Sequence, residues 1–280
     1  MNAADESAHQ AERIRRAGAR PHFAPEEAVL AVHRDHLREL AAALGRPPAV
    51  LVLGATPELA DLGLEAGCPV IQADRSAEVL AAAEVRRRVA DRSNERVLCS
   101  DWSRLEGVPD GSIDFVMGDA ALNNVPAAAQ PAVFAELRRV MRGGGVCSLK
   151  QIVTPDPIPA RYEMANALAA YRHGDLSASE FYIIVRFASF HAELFEPDGS
   201  LLDGRRVFEA IDDMMRAGTL TREEFAFLDS RRGRTRHTIF TAAAQRDLLQ
   251  SELGECAIVP VPGGCHYEDI LNLFRVAVAP

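Results

Sequence analysis

Residues Ala49 to Leu59 read AVLVLGATPEL. Four consecutive apolar residues, Val50 to Leu53, suit a strand covered on both faces. Gly54 then allows a tight bend, and Pro57 stands where the first turn of a helix tolerates a missing N–H. The stretch therefore predicts a buried strand that breaks at one glycine and enters a helix. Nucleotide sites often begin this way, yet GATPEL lacks the GxGxxG spacing that cradles a pyrophosphate. What the turn holds has to be decided by the residues that follow.

Working outward, strands and helices alternate. A helix is expected from Pro25 to Leu44, with Val29, Val32, Leu37, Leu40 and Leu44 apolar, stopped by Gly45 and Pro47-Pro48. Helix Pro57–Glu65 leads to a second strand at 69–72, and Ser76 is placed to cap a helix reaching about Val89. Further strands are expected at 96–99, 113–117 and 146–153, with a helix from Pro126 to Met141 that Gly143, Gly144 and Gly145 terminate. After Thr154 the rhythm changes, and residues 160–235 read as helices with no strand alternation. It returns with a helix from Thr241 to Leu253 and strands at 257–261 and 273–279. The expected organisation is an N-terminal helical segment (1–48), a Rossmann-like core (49–154), a helical insertion (155–235), and a C-terminal helix with two strands (236–280).

Composition narrows the function. A net charge of −9 argues against a general affinity for nucleic acid, whose phosphates favour a basic face. Of the 31 basic residues only Lys150 is a lysine, a bias read as genomic. Cys68, Cys99, Cys147, Cys256 and Cys265 are scattered without metal-ligand spacing, so reduced thiols and no metal site are expected. No apolar run is long enough to span a membrane, and the polar start MNAADESAHQAERIRR has no leader-like apolar segment. A cytoplasmic protein is the expectation. Oligomeric state is left open.

Three carboxylates fall at strand ends, where a doubly wound sheet binds its ligands. They are Asp74 in VIQADRS, Asp101 in VLCSDW and Asp119 in FVMGD. Each alone fits a helix cap or a solvated turn; three in the same place after successive strands point to a site. Asp74 lies 20 residues beyond Gly54, the separation at which an acidic side chain reaches ribose hydroxyls. Asp101 is placed to accept from an exocyclic amine, and Trp102 offers a flat face to a purine. Together they describe an adenosine pocket.

The run LVLGATPEL…IQADRS…CSDW…DGSIDFVMGD…LRRVMRGGGV resembles a class I S-adenosylmethionine-dependent methyltransferase over roughly residues 49–153, and TAAAQRDLLQSELGE with the closing strands is similar to the end of that fold. The resemblance implies a seven-stranded, mostly parallel sheet with an antiparallel last strand. It implies that Gly54, Ala55 and Thr56 pass the methionine part of the cofactor, that Asp74 and Arg75 lie at the ribose, and that Asp101 and Trp102 lie at adenine. Asp119 takes the place that faces cofactor and acceptor. The first turn departs from the family by carrying one glycine where two or three are usual. S-adenosylmethionine has no pyrophosphate, so one glycine for the bend is enough. Two other readings compete: an NAD(P)-dependent oxidoreductase, disfavoured by GATPEL, and a catalytically silent fold that only binds.

The acceptor is expected to be a small molecule, of the kind met in secondary metabolism, shaped by the insertion acting as a lid. EFYIIVRFASFHAELF predicts a helix with Phe181, Ile184, Val185, Ala188, His191 and Phe195 near one face. His191 is either a core histidine packed on the sheet domain or part of the acceptor pocket and a general base. Asn123 and Tyr182 are further substrate candidates; Asn124 fits a turn as well as a contact. RRGRTRH, Arg231 to His237, reads as a solvated linker or as a grip on an anionic substrate.

Overall fold

A computed structural model of the protein describes residues 24–195, 201–233, 235–261 and 269–279, together with residues 8, 11, 12, 14 and 15. Expectations for most of residues 1–23, for Arg234 and for Cys265 lie outside the described residues.

The core sheet has seven strands in the order β3-β2-β1-β4-β5-β9-β8. These are β1 (Val50–Leu53), β2 (Val70–Asp74), β3 (Glu95–Cys99), β4 (Ile113–Asp119), β5 (Met141–Ile152), β8 (Gly254–Val259) and β9 (Leu271–Val278). Strands β1 to β5 pair in parallel, and β9 runs antiparallel to both its neighbours. The seven-stranded Rossmann-like sheet with one antiparallel strand is thus present. The chain leaves β1 towards β2 and β3, then returns to lay β4 on the other side. That reversal opens a crevice at the carboxyl ends of β1 and β4.

The continuous apolar strands are explained by cover on both faces. Leu51 and Leu53 join the cluster under the helices Gln130–Val140 and Ala242–Glu252, with Phe134, Leu137, Leu249 and Leu253. Val50 and Val52 point the other way, into a cluster with Leu37 and Leu40 of the helix Glu27–Leu44 and Leu59 and Leu62 of the helix Pro57–Glu65. Successive residues serve opposite faces, as a strand's period of two requires.

Two expectations about boundaries are corrected. The helix expected from Pro126 to Met141 begins at Gln130, after a single 3-10 turn over Ala127–Ala129, and ends at Val140. The glycine run that was to end it lies inside β5 instead. Met141 already pairs with Ile113, while the next partners are Phe115 and Val146, so Arg142 to Gly145 bulge out of the ladder. Gly144 holds a φ of +78° and a Cβ on Gly145 would meet the Asp114 carbonyl oxygen at 2.9 Å. Glycine is required by that bulge, not by a helix end.

Segment 155–235 contains the helices Met164–His173, Ala178–Phe187, His191–Leu194, Gly204–Arg216 and Arg222–Asp229. It also contains a strand that the sequence pattern did not show. β6 (Leu201–Asp203) pairs antiparallel with β7 (Arg236–Thr238), making a two-stranded ribbon. Three residues are too few to display an alternation. The segment's apolar cluster reaches Ile152 at the end of β5, Ala120 just beyond β4, and Ile270 before β9. It packs on the carboxyl edge of the sheet, beside the crevice.

Candidate cofactor and acceptor site

The turn after β1 is built around Gly54, whose φ of +101° suits glycine. A Cβ there would lie 3.7 Å from the Trp102 ring, 3.8 Å from Thr56 Oγ1 and 3.9 Å from Asp74 Oδ2. Those neighbours form a cradle floored by bare backbone. Gln72 holds the turn from below by donating to the Gly54 carbonyl at 3.1 Å. Trp102 is fixed by its Nε1–H, which donates to the Ala73 carbonyl at 2.8 Å.

Asp74 ends β2. Its Oδ1 accepts from the Ser76 N–H at 2.9 Å and its Oδ2 from the Ala55 N–H at 3.3 Å. Burial raises its pKa, and the two N–H donors and the nearby Arg75 only partly offset that. Each oxygen keeps a lone pair for another donor, and a vicinal diol is a suitable one. Asp101 is arranged differently: its Oδ1 accepts from the Ser103 hydroxyl at 2.6 Å and the Ser103 N–H at 2.9 Å. These bonds, the hydroxyl first, lower its pKa. It is an exposed, self-capped turn whose second oxygen is left for a ligand. Arg75 is exposed beside Asp74 and Asp101.

Behind the turn lies a buried set of charges in which Asp119 meets partners that the sequence reading did not assign to the site. Arg86 donates to the Ala55 carbonyl at 3.1 Å and lies 3.3 Å from Glu58 Oε1. Burial lowers the Arg86 pKa against the pull of Glu58 and Asp119. Glu58 Oε2 is buried without a hydrogen-bond partner. Lys150 pairs with Asp119 at 2.8 Å, both side chains less than a tenth exposed. Two cations and two carboxylates thus stand against the turn in electrical balance. Ala120, next to Asp119, has a φ of +52°, the sole non-glycine among the described residues with positive φ. Its N–H donates to the Lys150 carbonyl at 2.8 Å, holding the strained residue in place. The available signal for Lys150 was in the composition: a single lysine, two residues from the end of a buried strand.

The substrate candidates fare differently. Asn123 is 1% exposed. Its amide donates to the carbonyls of Ile152 and Thr238, both at 2.8 Å, and its carbonyl accepts from the Ile152 N–H at 2.9 Å. Both donors are spent clamping β5 to β7, so its expected contact with an acceptor is replaced by a structural one. Tyr182 is 2% exposed inside the helical cluster, its hydroxyl directed at the Arg231 carbonyl at 3.4 Å. It too belongs to the framework.

His191 is half-buried, and the helix expected through it is broken. Ala178–Phe187 ends at Ala188, whose φ, ψ of −132°, −44° leave the helix, and His191–Leu194 is a separate turn. Its Nε2 is buried without a hydrogen-bond partner and its ring lies 4.0 Å from that of Phe195. Burial lowers its pKa, with Asp156 opposing. The arginine run is neither linker nor grip in its described part. Arg231 stacks over Phe227 at 3.9 Å, Arg232 pairs with Asp212 and Asp229, and Arg236 lies 3.6 Å from Asp203.

A bent, glycine-floored turn, a half-buried carboxylate 20 residues beyond its glycine and a fixed indole fit S-adenosylmethionine. Residues 53–149 match the family profile described as "Methyltransferase domain". Among solved structures, the chain is similar to one titled a putative Zn-dependent alcohol dehydrogenase from Rhodobacter sphaeroides, at 18% identity, 98% coverage of both chains and a TM-score of 0.57. It is also similar to a putative methyltransferase in complex with the Haloferax volcanii Trm112 methyltransferase activator, at 12% identity, covering 100% of this chain and 98% of that one, with a TM-score of 0.50. These likenesses concern the fold alone. No curated protein matches. Among the described residues, no three His, Cys, Asp or Glu side chains gather to hold a metal ion, and no helix is long and apolar enough to cross a membrane. By its strand order and the matched stretch, the chain carries a class I S-adenosylmethionine-dependent methyltransferase domain.

Proposed function

We propose that this domain methylates a small molecule held between the carboxyl edge of the sheet and the helical segment 155–235. The observation that carries the reading is the packing of that segment's apolar cluster onto Ile152, Ala120 and Ile270, which sets the segment beside Asp119 at the carboxyl edge of the sheet. A helical segment standing over that edge leaves less approach for a folded nucleic acid or protein than for a small ligand. The net charge of −9 is in keeping with this.

S-adenosylmethionine, when bound, supplies a methyl group already activated on a sulfonium. The chain's part is then mostly alignment. Gly54, Ala55 and Thr56 give the methionine end a close backbone approach, and Asp74 with Arg75 beside it takes the ribose hydroxyls. Asp101 and Trp102 bracket the adenine, and Asp119 faces the methionine end and the acceptor. His191 is assigned to the acceptor side, where a neutral ring nitrogen takes a proton if the acceptor must lose one.

The test is calorimetric. The protein should bind S-adenosylmethionine and not NAD, and Asp74→Ala should weaken binding by about 1.5–3 kcal/mol, the range for hydrogen bonds to a charged group. Equal affinity in parent and variant would remove Asp74 from the ribose. Transfer of an isotope-labelled methyl to small acceptors, tried in pools, separates an enzyme from a silent binder.

A further inference from the structure

The one lysine of the chain stands at the one place where a carboxylate at the methionine end needs a cation. Asp119 and Lys150 are register partners across β4 and β5, so their side chains leave the same face of the sheet side by side. Lys150 Nζ sits 2.8 Å from Asp119 Oδ1. Two residues back on the same face, Ser148 Oγ is shared by His33 Nδ1 at 2.8 Å and His36 Nδ1 at 2.9 Å. A serine hydroxyl has one hydrogen and two lone pairs, so at least one of the two imidazoles must donate to it. His33 is fully buried and its Nε2 has no hydrogen-bond partner. Lys150 is among the charges acting on it. An ammonium nearby favours the tautomer with the lone pair on Nε2, which puts the donating hydrogen on Nδ1 of His33. The imidazole then adds no second positive charge beside Lys150.

We propose that Lys150 is a positioning residue: its ammonium fixes Asp119 through Oδ1 so that Oδ2 is presented to the methionine end of the cofactor. Arg86, bonded to the Ala55 carbonyl, adds a second positive charge that Asp119 feels. The choice of lysine over arginine has a physical reason. A guanidinium carries five donors in a planar fork, whereas the contact made by Lys150 is to a single carboxylate oxygen, Asp119 Oδ1. A compact ammonium fits that space. The chain uses arginine at its other 30 basic positions, so this is the exception.

The inference rests on the reading that Asp119 faces the cofactor, and the test separates the two. S-adenosylmethionine affinity and the melting temperature would be measured for the parent, Asp119→Asn, Lys150→Met, their double variant, and Lys150→Arg. Removing one partner of a buried ion pair leaves the other uncompensated, whereas removing both is close to neutral. Lys150→Met should therefore lower the melting temperature and weaken binding about tenfold, like Asp119→Asn. The double variant should regain stability without regaining affinity. Lys150→Arg keeps the charge and the fold but displaces the cation, with an expected loss of about fivefold; it carries the test if Lys150→Met fails to fold. Parent-level binding by Lys150→Met or Lys150→Arg overturns the proposal while leaving the cofactor reading standing. Parent-level binding by Asp119→Asn removes Asp119 from the cofactor and the proposal with it. A parent protein that does not bind S-adenosylmethionine overturns both.

Discussion

At the carboxyl edge of the sheet, Asp74 and Glu58 keep bonding capacity in reserve, whereas in segment 155–235 Arg172, Glu224 and Arg232 have theirs used up. Asp74 holds two backbone N–H groups and is buried at a cost, as its raised pKa shows. Glu58 Oε2 has no hydrogen-bond partner. In the helical segment the opposite holds. Arg172 makes a two-pronged pair with Glu224, which itself closes a capping box on Thr221, and Arg172 pulls the Glu224 carboxyl down to about 2. Arg186 and Arg232 lie 5.5 and 5.0 Å over the ring of Phe208. Reserved bonds mark a place that expects a ligand; spent bonds mark a framework.

The largest effect should come from damaging the framework. Phe208 is 1% exposed in the centre of the helical cluster. Phe208→Ala should cost about 3–5 kcal/mol of stability, the usual range for emptying a buried aromatic site. Urea unfolding would measure it. If the two regions are as separate as their bonding suggests, S-adenosylmethionine affinity below the unfolding transition stays within about twofold of the parent. A matching fall in affinity would show that the cradle depends on the helical cluster.

A smaller effect concerns the two histidines behind the site. Burial holds the His33 pKa down at about 3, helped by His36 and Lys150, and burial also lowers His36. In the unfolded chain each has an ordinary value near 6.5. Between these values the unfolded state binds more protons, so stability is complete above about pH 6.5 and is lost as pH falls towards 3. His33 alone should contribute a slope of up to about 1.4 kcal/mol per pH unit in that window. Lys150 acts on the His33 side, and Arg275, Glu39 and Asp35 act on the His36 side. Unfolding at pH 7 and pH 5 in the parent and in His33→Leu would check it. Equal pH slopes in the two proteins would mean that His33 is not held neutral by the fold.

The same contrast explains what was legible in the sequence. Strand and helix order could be read because Val50–Leu53 is a continuous apolar run and Ile113–Met117 and Val146–Val153 are largely apolar, as burial on two faces leaves them. The places of Gly54, Asp74, Asp101 and Asp119 could be read because ligands meet such sheets at strand ends. The residues that hold those groups in place could not. Arg86 reaches Ala55 across 31 positions and His33 reaches Ser148 across 115, and no local pattern encodes those meetings. Asn123, Tyr182 and the arginine run have the chemistry of ligand contacts, and only the fold shows that it is spent on backbone carbonyls, rings and carboxylates. The ribbon β6-β7 was missed because each strand has three residues.

His191 belongs to neither class, and substituting it should give the smallest effect on stability. It lies in the helical segment, yet its buried Nε2 has no hydrogen-bond partner, as in the reserved groups of the sheet edge. An unsatisfied buried nitrogen costs free energy, while an apolar ring of similar shape in its place is close to neutral or stabilising. His191→Phe should therefore change stability by less than about 1 kcal/mol, in the stabilising direction, as read from the urea midpoint. Phe195, 4.0 Å from the imidazole centroid, would gain an aromatic neighbour in place of a polar one. A loss of more than about 1 kcal/mol would mean that the nitrogen is bonded after all and that His191 is framework. If stability holds, methyl transfer decides the rest. Burial lowers the imidazole pKa against the pull of Asp156, so the ring is neutral at pH 7 and free to accept a proton. A phenylalanine variant that binds S-adenosylmethionine normally but transfers no methyl groups would place His191 at the acceptor. One that transfers at the parent rate would leave the acceptor side of this enzyme without a base from His191.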